Sequence, residues 1–148
     1  MSHVTEMSCD VNPKYIDDFI KALKEHFGED GVEVDLTTPI SMKRYNNRTL
    51  HSDDGSFGSA PKCNIVVRKE TQCKKLGRNA LVNDLGYTVK DGKLTGYVDV
   101  AGFSKENQDL VMQNYATFVA IKPLKLQGYA VKETRKNGLV TLKASKYL

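Results

Sequence analysis

The sequence predicts an α+β protein built as two related lobes, with antiparallel sheets and two main helices; ferredoxin-like repeats are one arrangement of that kind. Three observations predict it. Gly86-Tyr87-Thr88-Val89-Lys90 before Asp91-Gly92, and Gly128-Tyr129-Ala130-Val131-Lys132 before Asn137-Gly138, share one layout, and each runs into a returning strand. Asp-Gly and Asn-Gly between alternating runs mark tight hairpins, because a type I′ turn needs positive φ at both central residues. An amphipathic helix follows Asn12-Pro13, and a second long helical pattern follows Ser104. Helix, glycine stop, strand is therefore the expected repeating unit.

The elements follow in chain order. Val4 to Val11 reads as the first strand. Asn12 then caps a helix and Pro13 takes its first position, where a missing N–H costs nothing. Ile16, Phe19, Ile20, Leu23 and Phe27 recur at the spacing of one helical face. Asp17 and Asp18 lie near the positive end of the helix dipole, and Gly28 is the stop. Short strands are expected at 32–35 and 41–45. Residues 46–62 are rich in Gly, Ser and Asn and read as a long surface loop. Residues 64–68 form a strand with an apolar centre. Residues 74–85 are expected to form a short helix, with Leu76, Leu81 and Leu85 on one face. Ser104 caps the second main helix, whose apolar positions include Leu110, Val111, Tyr115, Phe118, Val119 and Ile121. Pro123 is expected to kink it without ending it, leaving Gly128 as the final stop.

The lobes differ in charge. Residues 1–61 carry 6 Lys/Arg against 11 Asp/Glu, whereas residues 62–148 carry 16 against 7. The expected division is an acidic β-α-β lobe at 1–70, holding the loop 46–62, and a basic hairpin-helix-hairpin lobe at 71–148, the two forming one compact unit. A charge asymmetry of this size points toward an anionic partner on the basic side; charges scattered over a solvated surface are the competing explanation.

Several function classes lose support. The longest apolar runs are too short to span a bilayer, so no membrane association is expected. The start Met1-Ser2-His3-Val4-Thr5-Glu6 has no basic stretch leading into an apolar one, and Cys9, Cys63 and Cys73 are odd in number and widely spaced. Both features fit a cytoplasmic protein with reduced thiols. Cys63, Cys73 and His51 lack metal-ligand spacing, and Ser52-Asp53-Asp54-Gly55-Ser56 lacks the alternating ligands of a calcium loop. No nucleophile motif or phosphate loop is present. No catalytic residue, metal or cofactor is therefore expected.

The best candidate site is a basic surface. A two-residue Asn137-Gly138 loop sets Lys136 opposite Leu139, Thr134 opposite Thr141, Lys132 opposite Lys143 and Ala130 opposite Ser145. One face then carries Lys132, Thr134, Lys136, Thr141 and Lys143; the other carries Tyr129, Val131, Val140, Leu142 and Ala144, with Glu133 and Arg135 nearer the tip. In the earlier hairpin Thr88 faces Thr95, and Lys90 lies near Lys93. The expected partner-binding set is Lys132, Lys136, Lys143 and Lys146, supported by Lys90 and Lys93. The expected function is a non-enzymatic binding or adaptor protein acting on an acidic protein partner or assembly. The alternative is an RNA- or DNA-binding module contacting phosphates through the same lysines. Neither basic face interleaves aromatics with lysines, so base stacking has no platform there. Open sheet edges also allow a homo-oligomer.

Both ends of the chain resemble an uncharacterised small family of cyanobacteria, plastid reading frames and cyanophages. The resemblance rests on Met1-Ser2-His3, on Ala22-Leu23 with Gly28, on Gln113, Tyr115 and Ala116, on Gly128, Tyr129 and Val131, and on Gly138 with Leu142. The loop 46–62 and Pro123 depart from the family pattern. The matched positions are mostly helix stops and core residues. The resemblance implies no active site, because none is assigned to that family.

Overall fold

The computed structural model describes residues 3–50 and 59–146. Turn chemistry sets its centre. β4 (Leu85–Lys90) and β5 (Lys93–Val98) are joined by Asp91 and Gly92, at φ 53° and 73°, the two positive values a tight primed turn requires. β1 (Thr5–Cys9) pairs with β5, β3 (Ile65–Val67) pairs with β4, and β2 (Glu33–Val34) pairs with β3. The result is an antiparallel sheet in the order β1-β5-β4-β3-β2. A second, two-stranded sheet is formed by β6 (Tyr129–Lys136) and β7 (Leu139–Lys146). With its helices, the molecule is α+β.

The division into lobes differs from the expected one. The five-stranded sheet takes β1, β2 and β3 from before residue 70 and β4 and β5 from after it. The physical reason lies in β3. Ile65, Val66 and Val67 are all fully buried, and a strand apolar on both faces belongs inside a sheet covered on both sides. What stands apart is the terminal hairpin alone.

Period-two alternation assigns the two layers. Ile65, Val67, Leu85, Tyr87, Leu94 and Val98 face α1 (Ile16–Phe27) and α3 (Lys105–Leu126). Val66 and Tyr97 face the other way, against Met42, Leu50, Ala60 and Cys63. The segment expected as a surface loop thus has buried flanks at Leu50 and Ala60; its residues 51–58, including His51, Asp53 and Asp54, lie outside the described residues. The strand expected at 41–45 is reduced to isolated bridges, Ile40 with Cys63 and Lys43 with Thr49.

The helices follow their caps. The Asn12 side chain accepts from the Lys14 N–H at 3.0 Å and starts a short 3-10 turn that leads into α1. α2 spans Lys69–Leu76 rather than 74–85. Gly77, at φ 73°, ends it, and the Asp84 carboxylate accepts the Lys69 N–H at 2.7 Å at its start. Ser104 caps α3 by accepting from the Asn107 N–H, and α3 continues through Pro123 to Leu126, as expected of a helix that the proline does not end. Gly128, at φ 84°, then reverses the chain.

The terminal hairpin lies back along α3, and at its tip Gln113 Nε2 donates to the Gly138 carbonyl at 2.6 Å. α1 packs on one side of α3 and β6 on another. This double cover explains why the apolar residues of α3 do not gather on a single stripe, as those of α1 do.

Candidate binding surface

The register of the terminal hairpin is the expected one. Lys136 pairs with Leu139, Thr134 with Thr141, Lys132 with Lys143 and Ala130 with Ser145. Asn137 and Gly138 take φ 52° and 76°. The outer face therefore carries Lys132, Thr134, Lys136, Thr141 and Lys143, all exposed. Among the described residues, Lys132, Lys136 and Lys143 enter no ion pair. Tyr129, Val131, Val140 and Leu142 turn to the inner face and are half-buried.

The six expected lysines separate into three groups. Lys132, Lys136 and Lys143 share the outer face of the hairpin. Lys146 does not, because it pairs with Tyr129 and belongs to the inner face, where its Nζ lies 5.4 Å from the Tyr129 ring centroid. Its inclusion in the stripe is thus corrected by side-chain parity. Lys90 and Lys93 face each other beside the Asp91-Gly92 turn, in the five-stranded sheet. Both are exposed, and they form a separate pair of charges at the tip of that hairpin.

A contrasting polar hub lies at the start of α2, and there the charge of Arg68 is matched internally. The buried Asp84 carboxylate accepts from the Lys43 N–H at 2.9 Å, from the Lys69 N–H at 2.7 Å and from Arg68 Nη1 at 3.0 Å. Arg68 also donates to the Ser41 carbonyl at 2.9 Å and to both oxygens of Glu33. The Glu33 hydrogen bond, more than any other influence, raises the Arg68 pKa above its ordinary value. Such a hub ties β2, α2 and the strand entering β4 together. Its role is positional, since the Arg68 charge is already matched by Glu33 and Asp84.

Sequence reasoning missed a second feature. Phe118, Ile121, Lys122 and Lys125 recur at helical spacing on α3, and together with α1 and β6 they line a groove of about 550 Å³. Asp18, expected to act on the helix dipole, is nearly buried there, and Lys122 Nζ reaches its two oxygens at 2.9 and 3.0 Å. Lys21 Nζ sits 4.2 Å from the Phe118 ring centroid. Leu126 stands at the groove with 88% of its surface exposed. The available signal was the spacing from 118 to 125, which the kinked-helix expectation kept in register.

Burial pushes the Cys9 thiol up to about 11 and the Cys63 thiol up to about 12, so both are protonated and weakly nucleophilic at neutral pH. Among the described residues, no three His, Cys, Asp or Glu side chains converge as metal ligands would. Among those residues, too, no helix is long and apolar enough to cross a membrane. Comparison of the chain with family models, with curated proteins and with solved structures finds no match.

Proposed function

We propose that this is a non-enzymatic binding or adaptor protein that engages an acidic protein partner through the outer face of the β6–β7 hairpin. The observation that carries the reading is the direct opposition of Lys132 and Lys143 on a face with Lys136 beside the turn and, among the described residues, no ion-pair partner for any of the three. Like charges placed across a strand pair repel by some tenths of a kcal/mol. An acidic partner relieves that repulsion on binding. Lys90 and Lys93 offer a further, separate contact. The face holds threonines, lysines and, beside the turn, the exposed Leu139, but no aromatic, which favours carboxylate or phosphate contact over base reading. The proposed setting is the cytoplasm.

The test is a titration of long polyglutamate and of a random-sequence oligonucleotide, at low and at high salt. Polyglutamate is expected to bind at low salt and to be released as screening rises. Reversing the stripe with Lys132→Glu, Lys136→Glu and Lys143→Glu is expected to weaken it by roughly tenfold or more. Tighter binding of the oligonucleotide than of polyglutamate would transfer the same lysines to the nucleic-acid reading. No binding of either at low salt overturns both.

A further inference from the structure

The two-stranded sheet leaves β6 with an open edge. Among the described residues, β6 pairs with β7 alone. A two-residue turn makes Lys136 and Leu139 a hydrogen-bonded pair, and such pairs alternate along an antiparallel ladder. Lys132 and Thr134 thus direct their backbone groups at β7, while Val131, Glu133 and Arg135 direct theirs away from it. Among the described residues, no hydrogen bond engages the backbone N–H or C=O of Val131, Glu133 or Arg135. This is an unpaired strand edge of the kind that accepts another strand.

The groove lies beside this edge. It takes Glu133 from β6 and nothing from β7, so it opens on the free side of the hairpin. Its far wall is α1, through Asp18 and Lys21, and its floor is α3. The floor is apolar at Phe118 and Ile121. The acids of the groove are already matched, Asp18 by Lys122 and Glu133 by Arg135 at 2.6 Å. Lys21 and Lys125 remain at the rim as positive charge without an ion-pair partner among the described residues.

We infer that the free edge of β6 takes up an extended segment of the acidic partner as a third strand, and that this segment alternates apolar and acidic residues. The alternation follows from the pleat. Side chains of an added strand point by turns to the inner and the outer face. Those on the inner face meet Phe118, Ile121 and Leu126; those on the outer face lie next to Lys132 and Lys136. Apolar residues suit the first environment and carboxylates the second, with Lys21 and Lys125 favouring acids at the ends. A second copy of this chain is a poor occupant, because pairing β6 with β6 would gather Lys132 and Lys136 of both copies on one sheet face. The inference rests on the proposed function, since it locates the partner segment which that reading requires.

The experiment uses the full chain and a short synthetic peptide of alternating glutamate and valine, with an all-glutamate peptide of the same length as control. Binding is read by titration and by amide hydrogen exchange. The alternating peptide is expected to bind more tightly and to slow exchange at Val131, Glu133 and Arg135 by about tenfold or more. The amides of Lys132 and Thr134, already in the ladder, are expected to change little. Leu126→Ser with Lys125→Gln, both at exposed positions, is expected to abolish the preference for the alternating peptide while lowering the thermal melt only slightly, through the lost Lys125 charge at the helix C-terminus. Equal binding of the two peptides, or unchanged exchange at the three edge amides, overturns the inference. If long polyglutamate still binds in that case, the basic-face reading stands alone; if polyglutamate also fails, both fall. A shift of the free protein to a dimer that protects the same amides assigns the edge to a second copy and equally overturns the inference.

Discussion

The hairpins β4–β5 and β6–β7 share one local plan and have opposite fates. Each has a tight turn with two positive φ values. Each sets threonine against threonine, Thr88 with Thr95 and Thr134 with Thr141, and each sets lysine against lysine. Yet Leu85, Tyr87, Leu94 and Val98 of the first are buried, while no residue of the second is. The difference comes from neighbours. β4–β5 has β3 and β1 on its flanks and a layer on each face. β6–β7 has α3 under one face and nothing pairing its edges among the described residues. Turn chemistry and alternation make a hairpin; only long-range packing decides whether it becomes scaffold or exposed surface.

The tyrosines give the largest way to break this comparison. Tyr87 is buried in the core and meets Phe19 edge-to-face at a centroid distance of 4.9 Å. Tyr87→Ala removes a buried ring and is expected to destabilise the fold by about 3–5 kcal/mol, the range for such truncations. Tyr129→Ala loses a half-exposed ring and its contact with Lys146, and is expected to cost about 1 kcal/mol. Chemical denaturation of the two variants checks the ratio. Equal losses would mean that the hairpins are packed alike.

The glycines that open the two repeats sharpen it further. Gly86 lies inside β4, where an added Cβ would come 2.2 Å from Met42 Sδ and 2.7 Å from Cys63 Sγ. Gly128 has nothing within 4 Å of such a Cβ, but its φ is 84°. One glycine is required by space and the other by backbone conformation. Gly86→Ala is expected to cost about 1–3 kcal/mol through overpacking, and Gly128→Ala about 1–2 kcal/mol through backbone strain. The decisive measurement is the order of Ala and Asn. At Gly128 asparagine is expected to be milder than alanine, since it tolerates positive φ; at Gly86 it is expected to be worse, since it is larger. Thermal melts of the four variants separate the two causes.

These same glycines mark how far the sequence could be read. The strand register was legible to the residue, because a two-residue turn and the segregation of Lys132, Thr134 and Thr141 from Val131, Val140 and Leu142 admit one alignment. Counting along that register also pairs Lys146 with Tyr129, so its place on the inner face was available from the turn alone. The equivalence of the two Gly-Tyr starts was not real: Gly86 answers to Met42 and Cys63, more than twenty residues away in sequence. The pairing of β1 with β5 is likewise long-range and cuts across the expected boundary at residue 70. α2 was misplaced because its start depends on Asp84, which reaches Lys69 from beyond the other end of the helix. Of the candidate site, the lysine stripe could be read from alternation. The groove could not, because Asp18 and Lys122 meet across 104 residues.

The smallest expected effect separates stability from function. Lys132 and Lys143 occupy a directly opposed pair. Lys143→Glu turns repulsion into attraction, and the hairpin is expected to gain up to about 0.5 kcal/mol at low salt. The gain should fade as salt rises, because both groups are exposed and well screened. Lys93→Glu, opposite Lys90, is expected to show a similar gain in the other hairpin. Their effects on partner binding should diverge. If the outer face of β6–β7 is the main contact, Lys143→Glu stabilises the protein and weakens polyglutamate binding, while Lys93→Glu stabilises it and leaves most of the binding intact. Natural sequences retain locally unfavourable arrangements where function uses them. A Lys143→Glu variant that is more stable and binds as well as the parent would show that this repulsion serves no contact with an acidic partner. A variant that is more stable and binds worse would assign the opposed lysines to binding, through a change too small to be explained by loss of fold.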